Sequence, residues 1–293
     1  MNTAARDQRL KSVWSWIQDP VVQWSQDHGL MFSAAIAFFA AFSLAPTLVI
    51  IIAVASVFFG ADAVQGRLFG EIAGIVGTDA AHGLEAIVAN AWHADIATRT
   101  AIVSGVGVLV GASATFSSLY TALNVIWPAP ITGTRASIIA ILRVRAISFA
   151  FVLGAAVLII ALLVLDALVV LVGQWVLGTS GPSFLIAAIA QRAISLLMMV
   201  FAFAVLLKFL PSARMQWRDA ALGALTAALL FEAGKRLFAF YLQHAGTANM
   251  FGAAGSLAII LMWLYYSAAV FLLGAEVSAM VARRRTQRNS GWR

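Results

Sequence analysis

A chain of 293 residues in which 62% are apolar and only 11% charged lies outside the soluble globular class, where about a quarter of residues carry charge. The formal net charge of +7 raises nucleic acid as a partner, but the basic residues fall in short clusters between apolar runs and form no soluble groove with interleaved aromatics. Absence of cysteine excludes a disulfide framework and thiolate metal sites, and no P-loop is present to use ATP.

Residues 1–29 read as a cytoplasmic or interfacial segment rather than a signal peptide, because they are fairly polar and the apolar run that follows is too long for an h-region. Within them Val13, Trp14, Ile17, Val21 and Trp24 recur at helical spacing, as in a helix lying in the membrane interface, with Pro20 bending or restarting it. The first span, 30–59, is longer than a bilayer requires and contains Pro46, so a helix kink is predicted there. Residues 60–100 mix five acids, two His and two Arg with short apolar stripes, Val64, Leu68, Ile72 and then Leu84, Ile87, Val88. That pattern predicts two amphipathic helices outside the membrane core, forming a periplasmic loop.

The second span, 101–125, carries Gly105, Gly107 and Gly111 and then Ser113, Ser117, Thr121 and Asn124 on one face, which suits close helix packing or a wet path. Arg135, Arg143 and Arg145 mark a basic loop before the third span, 146–177, which is interrupted by Asp166 and Gln174. A short Gly/Ser/Pro turn leads to the fourth span, 183–207, with Gln191 and Arg192. Lys208, Arg214 and Arg218 form a second basic loop; the fifth span, 220–242, holds Glu232, Lys235 and Arg236. A Gly/Ala-rich link, Gln243 to Gly255, precedes the sixth span, 253–281, and residues 282–293 form a basic cytoplasmic tail.

The expectation is an all-α membrane protein, a single polytopic domain over 1–293 built as a six-transmembrane-helix bundle. Fourteen Lys/Arg lie on the side of both termini against Arg67 and Arg99 on the other, so the positive-inside rule places the N- and C-termini in the cytoplasm.

The residues that cost most to insert are the best clue to function, since a charge near the centre of a membrane helix is unfavourable by roughly 2.5–3.5 kcal/mol. At 1.5 Å per residue, Asp166, Arg192 and Glu232 lie about 17, 12 and 14 Å from the outer ends of their spans. Asp166 and Arg192 are thus expected to pair across neighbouring antiparallel helices. Glu232 has Arg236 at i,i+4 and Lys235 at i,i+3. The layer holds two acids and three bases, so one positive charge is left for an anionic ligand. Its alternative is an ion network that only ties helices together, or Lys235 and Arg236 snorkelling to the interface. Asn124 and Glu276 are read as polar groups near the cytoplasmic ends of their helices, in a solvated capping role or as a gate.

The strings SAAIAFFAAFSLAPTLVI (Ser33–Ile50), SLYTALNVIW (Ser118–Trp127), FEAGKRLFAFYL (Phe231–Leu242) and WLYYSAAVFLLGAEVSA (Trp263–Ala279) resemble the YihY/BrkB family of bacterial inner-membrane proteins. The resemblance covers nearly the whole chain and implies six membrane helices in the bacterial inner (plasma) membrane. Members carry an old ribonuclease BN label, a serum-resistance label and proposals of lipid transport or export. Pro46, Asn124, Glu232, Lys235, Gly274 and Glu276 occupy family-like positions, none with a catalytic role to carry over. The chain departs from the family pattern after Tyr241, in the Gly/Ala-rich link.

A ribonuclease needs an activated water or an acid/base pair, commonly with metal held by His and carboxylates. Of four His, none clusters on the cytoplasmic side; Asp79, His82 and Glu85 share a helical face outside and are read as a solvated loop rather than a metal site. The expectation is therefore a non-enzyme without cofactor or metal: a transporter or flippase-like carrier of an anionic lipid or other amphiphile, with membrane lipids as partners and no nucleic acid. The alternatives are a non-transporting scaffold for envelope-assembly proteins and an ion- or proton-coupled carrier titrating Asp166 or Glu232.

Overall fold

The computed structural model describes residues 18–92, 114–128, 182–213, 215–245 and 248–290, with single positions between 142 and 160. Among the described residues every regular element is a helix. They are α1 (Gln18–Gln26), α2 (Gly29–Phe59), α3 (Ala61–Val76), α4 (Thr78–Trp92), α5 (114–126), α6 (Pro182–Phe209), α7 (Trp217–Ala245) and α8 (Ala248–Ser290).

Among the described residues the bend falls at His28; Pro20 lies in the first turn of α1, and the residues before Gln18 lie outside the described part. His28 takes a left-handed backbone (φ 58°, ψ 34°), and α1 turns by 68° against the first part of α2. A left-handed residue cannot continue a right-handed helix, so α1 ends there and turns across the bundle end. The Trp24 indole lies directly on Gly29, where a side chain would collide with it. Helix α2 continues through Pro46 to Phe59, with its apolar stretches Gly29–Ala45 and Thr47–Phe58 meeting at the proline.

Gly60 (φ 80°, ψ 151°) and Gly77 (φ 87°, ψ 161°) separate α2, α3 and α4 in a backbone region open essentially to glycine alone. Both amphipathic helices expected in this segment are present. Val64, Leu68, Leu84 and Val88 are buried, and Ile72 packs against the same core. Ile87, expected on that inner stripe, is exposed instead, because the buried face of α4 runs through Ala80, Ala81, Leu84 and Val88. The two helices dock on α2, α7 and α8.

The long helix α8 is the axis of the bundle, packing along α7 on one side and α2 on the other, with α6 against α7. Two apolar cores follow one another along it. One joins Ile36, Leu123, Leu207, Leu210, Ala224 and Leu272; the other joins Leu48, Ile52, Val64, Phe69, Phe238 and Trp263.

The α7–α8 crossing is set by glycine. A Cβ on Gly274 would lie 2.6 Å from the carbonyl oxygen of Gly223 and 2.8 Å from Cβ of Ala227, so the two backbones touch. Helix α7 turns its small residues inward, with Ala220, Ala224, Ala227 and Ala228 buried, and leaves Leu222, Leu225, Leu229, Leu237 and Phe240 exposed. Small residues inside and large apolar residues outside is the arrangement lipid favours, since burying leucine yields no gain where the solvent is hydrocarbon.

Several boundaries differ from expectation. The Gly/Ala-rich stretch is mostly helical: Gln243 to Ala245 end α7, and Ala248 to Gly255 begin α8. The basic tail is helical as far as Ser290, because no glycine or proline follows Gly274 until Gly291. By length and hydropathy, Arg192–Phe209 and Gly255–Gln287 are able to cross a membrane, and the bent pair Gln18–Gln26 with Gly29–Ala45 makes a third if it forms one span. Helix α7 fails that test because Glu232, Lys235 and Arg236 fall in the middle of its apolar stretch. The expected second and third spans lie largely outside the described residues.

Candidate functional site

The charge cluster on α7 forms, with both Lys235 and Arg236 turned to Glu232. Lys235 Nζ sits 2.6 Å from Glu232 Oε2, whereas Arg236 reaches only to 3.8 Å from Glu232 Oε1. The i,i+3 lysine is thus the main partner and the i,i+4 arginine the looser one. Glu232 and Lys235 are half-buried, while the Arg236 side chain is 76% exposed. Its position places it on the outward stripe with Leu229 and Phe240.

Behind the cluster the seam with α8 is aromatic. Phe231 and Phe238 approach Trp263 with ring centroids at 5.0 and 5.4 Å, and Gly234 leaves room for the Tyr266 ring. Tyr266 donates its hydroxyl to the carbonyl oxygen of Leu230 at 2.7 Å. Arg192 is exposed on α6. Its expected partner Asp166 lies outside the described residues, as does the side chain of Pro46.

Asn124 is half-buried and works as a clamp between elements. Its Oδ1 accepts the Ser212 N–H at 2.9 Å and its Nδ2 donates to the Tyr120 carbonyl at 2.8 Å, while Tyr120 and Ser212 hydroxyls meet at 2.7 Å. This fastens α5 to the turn after α6. Glu276 is neither solvated nor at a helix end: it is 1% exposed, about 21 Å from the end of α8. Its Oε1 has no hydrogen-bond partner, and its carboxyl group meets that of Asp27.

Around Glu276 the structure brings together residues that sequence reasoning passed over. Asp219, 2% exposed, receives two hydrogen bonds from Arg285 at 3.0 and 2.9 Å. Arg284 pairs with Asp19 at 2.5 Å, and Arg283 donates to the Ile126 carbonyl. Trp127 donates to Ser278 Oγ at 3.2 Å. The available signal was the stripe Leu272, Ala275 and Ala279, whose period carries on to Arg283 and so continues the helix into the tail. On the α3–α4 side, His82 and Glu85 are 3.1 Å apart and exposed, and no group of three or more metal-ligating side chains occurs among the described residues.

The family model described as "Virulence factor BrkB" matches residues 21–293, which takes in all of the site just described except Asp19. The chain belongs to the BrkB family. Relatives in that family include a UPF0761 membrane protein of Tolumonas auensis, 45% identical over 75 residues, or 25% of each chain. A UPF0761 membrane protein of Yersinia pestis is 29% identical over 212 residues, covering 70% of this chain and 65% of the relative. The chain therefore spans less than two-thirds of the length of these relatives in the matched regions. No solved structure matches it. As a BrkB-family chain with inward small residues and outward leucines, it is a membrane protein.

Proposed function

We propose that this BrkB-family protein is a carrier, flippase-like in action, for an anionic lipid or similar amphiphile, without covalent catalysis. One observation supports the reading above others. Arg236 is a cation on an exposed apolar stripe of α7, and its nearest carboxylate, Glu232, is already engaged by Lys235 at 2.6 Å. A guanidinium facing hydrocarbon is costly, and a lipid phosphate offers it a bidentate, charge-assisted partner. Arg192, exposed on the adjacent α6, supplies a second cation of the same kind.

The reading includes a six-span bundle in the bacterial inner membrane with both termini cytoplasmic, which the lysine and arginine distribution supports. In that orientation Arg236, about 14 Å from the end of α7, belongs to the outer half of the bilayer. Membrane lipids are its partners; nucleic acid is not. The scaffold alternative gains less support, since the α3–α4 segment it would use is docked on α2, α7 and α8.

The test is lipid retention. Protein purified in mild detergent from mixed bacterial lipid is expected to carry anionic phospholipid above its membrane abundance, by mass spectrometry, and Arg236→Ala with Arg192→Ala to lose the enrichment. Equal lipid composition in wild type and variant defeats the proposal.

A further inference from the structure

The end of the bundle that α1 crosses carries a carboxyl pair separate from the charge cluster on α7. The Gly223–Gly274 contact sets Glu276 about 20 Å from Arg236, counted along α7. Glu276 is 1% exposed on α8, and its carboxyl group is hydrogen-bonded to that of Asp27, in the turn that closes α1. Two ionised carboxylates cannot make such a bond, because neither has a proton to donate. The pair therefore holds one shared proton and a single negative charge.

The surroundings balance that charge. Arg283, two turns along α8, is the cation that acts on Glu276. Asp19 and Arg284, which line a cavity with Glu276, pair with each other, and Asp219 on α7 is bonded to Arg285. Helices α2 and α5 pack at the same end and bring no charged side chain. On the α1 side, Gln23 donates an N–H to Asp27 Oδ1 at 3.3 Å, and the neighbouring titratable ring, His28, is exposed. Loss of the proton sets two carboxylates face to face, one of them buried with an oxygen that already lacks a partner among the described residues. The cavity that Glu276 lines, about 310 Å³, is open on one side, so water can reach the pair and take the proton.

His28 supplies the joint. Its left-handed backbone (φ 58°) is uncommon for a residue with a side chain, so the turn is held by its contacts rather than by local preference. Besides the carboxyl pair, those contacts are the Asp19–Arg284 ion pair, which is partly exposed and so holds weakly, and the Trp24 indole on Gly29. We propose that the proton shared by Glu276 and Asp27 is a latch: while bound it fastens α1 to α8, and its loss lets α1 swing at His28 and uncover the end of α8. The closed state holds a proton that the open state releases, so acid closes the latch and alkali opens it. The device stands whether or not the protein carries lipid.

The chain contains no cysteine, so Val22→Cys and Thr286→Cys, both at exposed positions, place one spin label on α1 and one on α8. The distance between the labels is measured by double electron–electron resonance on the purified full chain in detergent, at mildly acidic and mildly alkaline pH and constant ionic strength. One short distance is expected to dominate at the acidic pH, and a longer population to be at least threefold larger at the alkaline pH. Glu276→Gln and Asp27→Asn each put an amide N–H where the shared proton stood, so either change in the labelled chain is expected to keep the short distance at both pH values. His28→Asn, a residue that also accepts the left-handed backbone, is expected to respond as the unchanged sequence does. A distance distribution that does not move with pH, a response that persists in the folded Glu276→Gln or Asp27→Asn protein, or one that disappears in His28→Asn overturns the proposal.

Discussion

Replacing Gly274 with alanine perturbs the packing of the bundle at its tightest point. The new Cβ meets the Gly223 carbonyl oxygen at 2.6 Å and Ala227 Cβ at 2.8 Å, against ordinary contact near ~3.5 Å. Neither neighbour is a flexible side-chain end, so relief requires α7 and α8 to part by roughly 0.7–0.9 Å over the crossing. Overpacking of this kind costs about 1–3 kcal/mol. Ser278, one helical turn further along α8, closes the same crossing, its Cβ 2.8 Å from the Cβ position of Gly223. We expect a loss of about 2–3 kcal/mol for Gly274→Ala. Gly83→Ala is the control: nothing lies within 4 Å of its Cβ position, so in mid-helix it is expected to stabilise by about 0.5–1 kcal/mol. Reversible unfolding in mixed micelles, followed by circular dichroism, compares the two. Equal stability for the two variants refutes the claim that α7 and α8 touch backbone to backbone.

Three further outcomes follow from the same contacts. Arg285→Ala leaves Asp219 buried without its partner and is expected to cost about 3 kcal/mol, the low end for a buried pair because Arg285 is partly exposed; a double-mutant cycle with Asp219→Ala is expected to give a coupling of at least ~1 kcal/mol in the same unfolding assay. Asn124→Ala removes the acceptor for Ser212 N–H, with an expected loss of about 1–2 kcal/mol and faster protease cleavage at the turn after α6. Tyr266→Phe is milder, about 0.5–1 kcal/mol by micelle unfolding, because the Leu230 carbonyl lies within α7 and keeps a helical partner there.

Hydropathy and period made most of the helices legible. Spans expected at 183–207 and 220–242 correspond to helices Pro182–Phe209 and Trp217–Ala245, and the two amphipathic helices after Phe59 occur where their stripes put them. These signals are local. Helix α8 runs on past the expected span end at 281 because no helix breaker separates Ala279 from Arg283, Arg284 and Arg285. The Gly/Ala-rich stretch reads as a link because glycine is disfavoured in helices, yet Ala248 to Gly255 are helical.

The site divides in the same way. Glu232, Lys235 and Arg236 are neighbours on one helix, so spacing was enough to place them together, though not to choose Lys235 over Arg236 as the closer partner of Glu232. The bundle end was not legible, since Asp27 with Glu276, Asp19 with Arg284 and Asp219 with Arg285 come from remote parts of the chain. No local period links such residues. What joins them is the left-handed His28, which turns α1 over α8, and the Gly223–Gly274 crossing, which sets the register of α7.

The carrier reading depends on Arg236 acting on lipid that moves. The most direct measurement is transbilayer movement of a fluorescent anionic phospholipid in vesicles holding purified protein, read by quenching of the outer leaflet. Wild type is expected to accelerate exchange over empty vesicles, and Arg236→Ala, incorporated to the same level, to lose at least tenfold of that rate while Lys208→Ala does not. Acceleration unchanged in Arg236→Ala, or none with wild type, contradicts the account.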